Sequence, residues 1–566
     1  MKVVGCITCD NNYVPYSIVA LKHLKSKNPD FDLVIISKHI SNEYKDLCLK
    51  HDIRVFEVNL SNDFTHLDKR TYGQKYPIEC FYHFYAYKIL TEYDYIVNIE
   101  PDVYTNKKLN INWNEITYIA GGTNFQPIEN FTYIKKDLSK IIQSNMSSNE
   151  IDTKQERIIG GPRIYNVKNC NEIKFYETIV NYYKSSIEHN CQRCGDDSLQ
   201  TLYQLYNKNH FKLYDEYFNY TQYRHASLKC TKELISKVTF FHSINKYWKG
   251  IKNYFNEIDR YFTTLIIRYL YNNFTTDFIK TYFKSIYVDI SKPMQFNFYY
   301  FPFSNFGDLI TPYFLSKFCK NEDYRIIYEK SKDYNFDSLV KIISCGSIMR
   351  LCNPNTIVYG SGIRDINQDI KPGLIECVRG PLTRDRLLQI NCYCPPVYGD
   401  LGLLLPMYFN PDIAIRYELG IIPHHVDYNC AIEKYNKTPN WLIIDLTNKN
   451  IEETIILMKS CKRILSSSLH GLIVSDAYNI PNKWIKFSNK ITGDGTKFKD
   501  YFLSVNRDET FIDCLDFKPI TKDMIKSIPN KVSISIDLDL FASTMFFDKN
   551  GITNYTKYLY NTLSEK

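Results

Sequence analysis

The chain of 566 residues is 44% hydrophobic and 23% charged, which supplies apolar material for two large α/β cores and excludes a globally disordered chain. Its 70 basic and 62 acidic residues leave a mild formal charge of +8 with no long Lys/Arg block, so a dedicated nucleic-acid binder is disfavoured. The 17 cysteines are scattered, Met1-Lys2-Val3-Val4-Gly5 opens a strand rather than a leader, and no apolar run nears the roughly 20 residues that cross a bilayer. The expectation is a cytoplasmic chain (host-cytoplasmic if viral) without a transmembrane segment, leaving room for peripheral membrane contact.

The first hundred residues alternate strand and helix as a mostly parallel sheet requires. Val3–Ile7, Leu33–Ile36, Arg54–Val58 and Tyr95–Ile99 read as strands. Val14, Ile18 and Leu21 recur at helical spacing with Pro15 in the first turn, and an aromatic helix is predicted near Tyr82–Leu90. From Lys249 to Ile290 the pattern becomes a Tyr/Phe/Lys-rich helical stretch without turn punctuation. Phe296–Phe301 opens a second series with strands at Lys341–Cys345, Thr356–Tyr359, Trp441–Asp445 and Arg463–Ser466, each followed by Gly, Ser or Asp and a helical pattern. That fits a doubly wound, two-lobed domain. The strict alternation Val532–Asp539 predicts a half-buried strand with its two Asp in solvent. The chain thus divides into residues 1–255, a helical connector 256–292, a second α/β domain 293–515 and a packed tail 516–566 of strand and helix.

The strand ending in Asn98-Ile99-Glu100-Pro101-Asp102 sets two carboxylates at the C-terminal edge of a parallel sheet, where ligands bind in this architecture. A divalent cation held there would offset the charge that grows on a departing diphosphate. By itself the triplet reads as an exposed turn. Its company changes that: Ile7-Thr8-Cys9-Asp10-Asn11-Asn12-Tyr13 precedes it, and Gly160-Gly161-Pro162-Arg163, Gly195-Asp196-Asp197 and His242-Ser243-Ile244-Asn245-Lys246 follow in order. This series resembles glycosyltransferase family 8, the glycogenin and lipopolysaccharide-galactosyltransferase group, and implies a single Rossmann-like nucleotide-sugar domain of GT-A type. The resemblance implies that Ile7, Asp10 and Tyr13 hold uracil of a UDP-sugar and that Lys246 meets its diphosphate. It likewise implies that Glu100, Asp102 and His242 bind Mn²⁺ (or Mg²⁺) and that Asp197 acts at the donor sugar. Three positions depart from the family: Glu100-Pro101 begins the triplet where Asp is usual, His83 and Phe84 stand near the place of a basic residue, and Gly195 replaces an acid. The two CxxC pairs, Cys6/Cys9 and Cys191/Cys194, read as small buried thiols rather than a zinc site.

The motifs of the second series are denser. Asn305-Phe306-Gly307-Asp308 sits between a strand and a helix, a turn whose N–H groups suit an anion. Val358-Tyr359-Gly360-Ser361-Gly362 ends another strand, and Val378-Arg379-Gly380-Pro381-Leu382-Thr383-Arg384 places two Arg at a helix start. Tyr398-Gly399-Asp400, Pro423-His424-His425 and Ser466-Ser467-Ser468-Leu469-His470-Gly471 complete the set. Over about residues 296 to 490 it resembles the polysaccharide pyruvyltransferases, which implies a GT-B-like fold and ketal transfer from phosphoenolpyruvate to a sugar. So small a polyanion needs cations and N–H donors around it. Asn305, Gly307, Asp308, Arg379, Arg384 and His424 are the expected donor-binding residues, and His470 the general acid. Ser468 stands where Arg is common in the family. The whole reads as a bifunctional glycan-modifying transferase acting on UDP-sugar, phosphoenolpyruvate and a glycan acceptor in surface-polysaccharide synthesis. The alternative is a glycan-binding or scaffold protein with degenerate domains.

Overall fold

A computed structural model describes residues 1–65, 77–127, 154, 156–189, 196–215, 218–221, 230–242, 248, 257–291, 294–301, 305–507 and 510–564. The chain forms two compact units, Met1–Tyr287 and Val288–Lys566.

The first unit is built on one seven-stranded sheet in the order β3-β2-β1-β4-β7-β6-β8. Strands β1 (Val3–Thr8), β2 (Asp32–Ser37), β3 (Ile53–Glu57) and β4 (Tyr95–Asn98) are parallel, the apolar runs of a sheet covered on both faces. Beyond β4 the sheet departs from the parallel expectation. β7 (Glu156–Asn166) is antiparallel to both β4 and β6 (Ile119–Pro127), and β8 (Phe211–Tyr214) closes the edge parallel to β6. A small sheet of β5 (Val103–Thr105), β10 (Phe240–His242) and β9 (Asn219–Thr221) stands beside it. The aromatic stretch at 78–89 winds as 3₁₀ turns over Ile78–Phe84 and only one α turn, Ala86–Ile89. Its rings, with Phe175, Tyr183 and Tyr203, fill the core under the sheet. Helices Glu257–Asn273 and Thr276–Tyr282, within the predicted connector, belong to this unit. Phe262 stacks on Phe241 at 4.4 Å, and Phe283, just beyond them, meets Tyr16 edge-on at 5.2 Å.

The second unit carries two parallel five-stranded sheets. The first has the order β12-β11-β13-β14-β15, formed by β11 (Phe296–Tyr299), β12 (Tyr324–Ile326), β13 (Lys341–Ile343), β14 (Thr356–Tyr359) and β15 (Leu374–Cys377). The second repeats that order as β17-β16-β18-β19-β20, with β16 (Leu419–Ile422), β17 (Trp441–Ile443), β18 (Ile464–Ser466), β19 (Asn482–Lys486) and β20 (Phe511–Asp513). In each sheet the winding reverses between the first and third strands, and ligands bind at the carboxyl ends of that crevice. Each lobe has its own apolar core. The tail returns to the first lobe, where Asn297 Nδ2 donates to Tyr560 of helix Asn554–Ser564 at 2.7 Å and Tyr359 meets Thr556 at 2.9 Å. The predicted strand at 532–539 is absent. Ile534, Ile536 and Leu538 do pack against the core, but the segment finds no partner strand, and a short helix begins at Leu538. Among the described residues no helix is long and apolar enough to cross a membrane.

Candidate active sites

In the first unit β4 delivers Glu100 and Asp102 just past its carboxyl end. β10 runs antiparallel to β5 with His242 opposite Val103, which brings His242 back beside the acids across 140 residues of chain. His242 Nε2 lies 3.2 Å from Glu100 Oε2 and 3.2 Å from Asp102 Oδ1, and ligand atoms of all three fall within 4.8 Å of one another. Burial pushes the imidazole down, and the charges of Asp102 and Glu100 outweigh it, holding His242 well above its ordinary value. The cluster therefore gathers positive charge. Two carboxylate oxygens and one imidazole nitrogen are also a donor set that suits Mn²⁺ or Mg²⁺.

Next to it lies a network the sequence reading missed. Arg163 pairs across the sheet with Asn98, the last residue of β4, and is 1% exposed. Its Nη2 donates to Asp197 Oδ1 at 2.8 Å and reaches Asp196 Oδ2 at 3.4 Å. His83 bridges Tyr165 (2.7 Å) and Asp196 (3.3 Å), and burial followed by the Arg163 charge holds it below its ordinary value. Arg163 thus places a cation beside Asp196, Asp197 and His83 from an antiparallel strand. The signal was in the quoted Gly-Gly-Pro-Arg run, but without the β4–β7 pairing nothing tied it to the acids. Asp197 opens helix Asp196–Tyr206 and keeps its side chain 42% exposed. Asp10 accepts from Asn12 N at 2.7 Å and starts the turn that carries Tyr13, whose ring lies 6.4 Å from Trp248. Ile7 is fully buried in β1, its side chain in the core. Cys6 and Cys9 are buried thiols raised by burial. Lys246, Gly195, Cys191 and Cys194 lie outside the described residues.

In the second unit the four strands that flank the two winding reversals each deliver part of one cleft. Asn305, Gly307 and Asp308 follow β11, Cys345 follows β13, His424 follows β16 and His470 follows β18. A Cβ on Gly307 would stand 1.8 Å from His470 Nδ1, so the glycine is what lets the imidazole touch the first turn of helix Phe306–Phe318. On its other side His470 Nε2 lies 3.3 Å from Cys345 Sγ and 3.6 Å from Asp400 Oδ2. Asp400 is fully buried; burial pushes its carboxyl up, but His470, the Gly402 N–H at 2.9 Å and Arg379 bring it below its ordinary value. An ionised Asp400 orients His470 and leaves Nδ1 facing the turn. Asn305 Nδ2 donates to Asp308 Oδ2 at 3.0 Å, and burial raises the Asp308 carboxyl.

The two arginines of the expected pair separate: Arg379 acts on Asp400 and Cys345 beside the His470 cluster, whereas Arg384 turns away from it. Arg379 is 0% exposed. It donates to Ser347 Oγ (2.7 Å) and Ile363 O (2.5 Å) and pairs with the equally buried Asp500 at 3.2 Å. Arg384 is turned into its lobe, where Nε donates to Cys394 O at 3.0 Å, and the structure does not bring it to the His470 cluster. His424 caps the turn His425–Asp427, weakly, through Nδ1 and Val426 N (3.5 Å), while its own N–H donates to Ser467 Oγ at 2.8 Å. Burial, with Lys497 and His425, pushes its imidazole down to about 3. Lys497 had not been expected here; it lies on a helix beyond the motif series.

Residues 245–486 match the family model for polysaccharide pyruvyl transferase. The match runs from the end of the first unit through much of the second, and the chain is a transferase. An uncharacterised protein of Acanthamoeba polyphaga mimivirus is 29% identical over 280 residues, 47% of this chain and 90% of that protein. Among solved structures, an active-site variant of LgtC is similar at 15% identity and TM-score 0.36, over 47% of this chain and 95% of that one. The galactosyltransferase LgtC with donor and acceptor sugar analogues gives 16% and 0.34 over the same shares. The bifunctional glycosyltransferase WbbM gives 14% and 0.35, over 50% of this chain and 51% of that one.

Proposed function

We propose that the chain is a bifunctional glycan-modifying transferase: glycosyl transfer from a UDP-sugar in the first unit, and pyruvyl ketal transfer from phosphoenolpyruvate in the second. The observation that carries the second activity is the delivery of Asn305–Asp308, Cys345, His424 and His470 to one cleft by the four switch-point strands, within a matched pyruvyl transferase domain. There His470 gives a proton to the methylene carbon of the donor, a sugar hydroxyl oxygen attacks the adjacent carbon, and phosphate leaves as a second hydroxyl closes the ketal. Of the two hydroxyl protons, one replaces the proton His470 gave and the other leaves with the phosphate, so the imidazole is restored. As the acid, His470 carries a proton on each ring nitrogen, Nε2–H beside Asp400 and Nδ1–H toward the turn.

In the first unit Glu100, Asp102 and His242 would hold Mn²⁺ or Mg²⁺, which when bound offsets charge on the departing diphosphate. Arg163 holds Asp197 against helix Asp196–Tyr206 so that its exposed carboxylate faces the donor sugar, and Asp10 and Tyr13 take the base. A cytoplasmic setting fits the free cysteines among the described residues. The test is full-length protein with phosphoenolpyruvate and a panel of glycosides. Product spectra should show a pyruvyl mass gain matched by released phosphate, and His470→Ala should lose both while still binding the donor. No donor-dependent product, with His470→Ala indistinguishable from wild type, would favour the scaffold alternative.

A further inference from the structure

The segment that follows β19 crosses to the first lobe twice. Asp494 N donates to Asp365 Oδ1 at 3.1 Å and Asp494 Oδ2 accepts from Ile366 N at 3.0 Å. Six residues on, Asp500 accepts from Thr383 N (3.0 Å) and Thr383 Oγ1 (2.7 Å) and pairs with Arg379. Between these ties helix Thr496–Ser504 starts on Gly495, whose φ of +89° makes the sharp turn, and Lys497 sits in its first turn. Both neighbouring acids are consumed by the first lobe, and neither neutralises Lys497. Asp365 is likewise taken by Arg364 at 2.8 Å. Among the described residues no carboxylate is within ion-pair distance of Lys497 Nζ; its contact is the Phe498 ring at 5.4 Å.

We propose that Lys497 is the cation that grips the anionic donor in this cleft, a phosphate or carboxylate group supplying the counter-charge that the protein withholds. The assignment rests on the pyruvyl-transfer reading of the same cleft. The charges around it are Arg364 and Asp365 after β14, Arg379 after β15, Asp308 on helix Phe306–Phe318, and His424 and His425 after β16. Burial, with Arg379 and Arg364, pushes the ammonium down to about 8 against the pull of Asp365 and Asp308. Keeping a half-buried ammonium unpaired among cations is costly, and an arriving anion removes that cost.

The test titrates full-length protein with phosphoenolpyruvate and, separately, inorganic phosphate, for wild type, Lys497→Met and Lys497→Arg. Thermal unfolding checks that each variant is folded. Lys497→Met should weaken phosphoenolpyruvate binding by about 10- to 100-fold, and Lys497→Arg should restore most of it. Wild-type affinity should fall as pH rises through the range near 8, whereas the arginine variant, which keeps its proton, should not follow. Folded Lys497→Met that binds phosphoenolpyruvate as tightly as wild type, with the same pH profile, overturns the assignment and leaves the pyruvyl reading standing. Lys497-dependent binding of inorganic phosphate without phosphoenolpyruvate binding keeps the anion grip and overturns the pyruvyl reading. Binding of neither overturns both.

Discussion

At His242 two carboxylates 3.2 Å away favour the charged imidazole against burial. A histidine raised in the folded state contributes stability that is full below its unfolded pKa and is lost as pH rises through the folded one. A divalent cation bound there would take over from the proton, so the thermal shift given by Mn²⁺ should grow with pH, and Mn²⁺ uptake should release protons measurable in buffers of different ionisation heat. Asp102→Ala and His242→Ala should abolish the shift; an equal shift with chelator present would contradict the metal assignment. At Arg379 the opposite logic holds. A buried pair that loses one partner strands the other charge, so Arg379→Met should lower the stability of the second unit by about 3–5 kcal/mol in chemical denaturation. A stable variant with weakened donor binding would instead support the donor-binding role expected from its sequence. That reading found two arginines at a helix start but not their direction, which depends on Asp500, 121 positions away from Arg379 and paired with it. Asp102 and His242 were legible because the ordered motifs named them, whereas Arg163 and Lys497 were not, since each reaches its site through packing that no local pattern records.

Strands were the most legible elements. Buried parallel strands demand short continuous apolar runs, and β11, β13, β14 and β18 all show them. Orientation is another matter, because an apolar run is the same read in either direction, and β7 itself was read only through its Gly-Gly-Pro-Arg motif and not as a strand. Alternation at 532–538 correctly reported which side chains pack, but a strand also needs a ladder of a neighbour's hydrogen bonds, and among the described residues the segment's bond to a neighbouring stretch is Ser535 N to Val505 O at 2.8 Å. The tightest element-level contact is the first turn of helix Phe306–Phe318 against His470. Gly307→Ala inserts a methyl where the imidazole stands, and turnover should fall by about 100-fold as the ring is displaced. Circular dichroism should show the fold retained; unchanged turnover would remove His470 Nδ1 from the chemistry.

On the scale of the whole molecule, each unit has its own sheets and its own core. Two cooperative unfolding transitions are expected, and a ligand at 100 times its Kd should stabilise the unit that binds it by about 2.7 kcal/mol without touching the other. Calorimetry of the full chain with UDP plus Mn²⁺, and separately with phosphoenolpyruvate, therefore asks the central question directly. UDP with Mn²⁺ should raise one transition, Asp102→Ala should erase that rise, and phosphoenolpyruvate should raise only the other transition, with His470→Ala still responding. Phosphoenolpyruvate that shifts neither transition, or shifts the one that UDP and Mn²⁺ raise, would contradict the bifunctional reading.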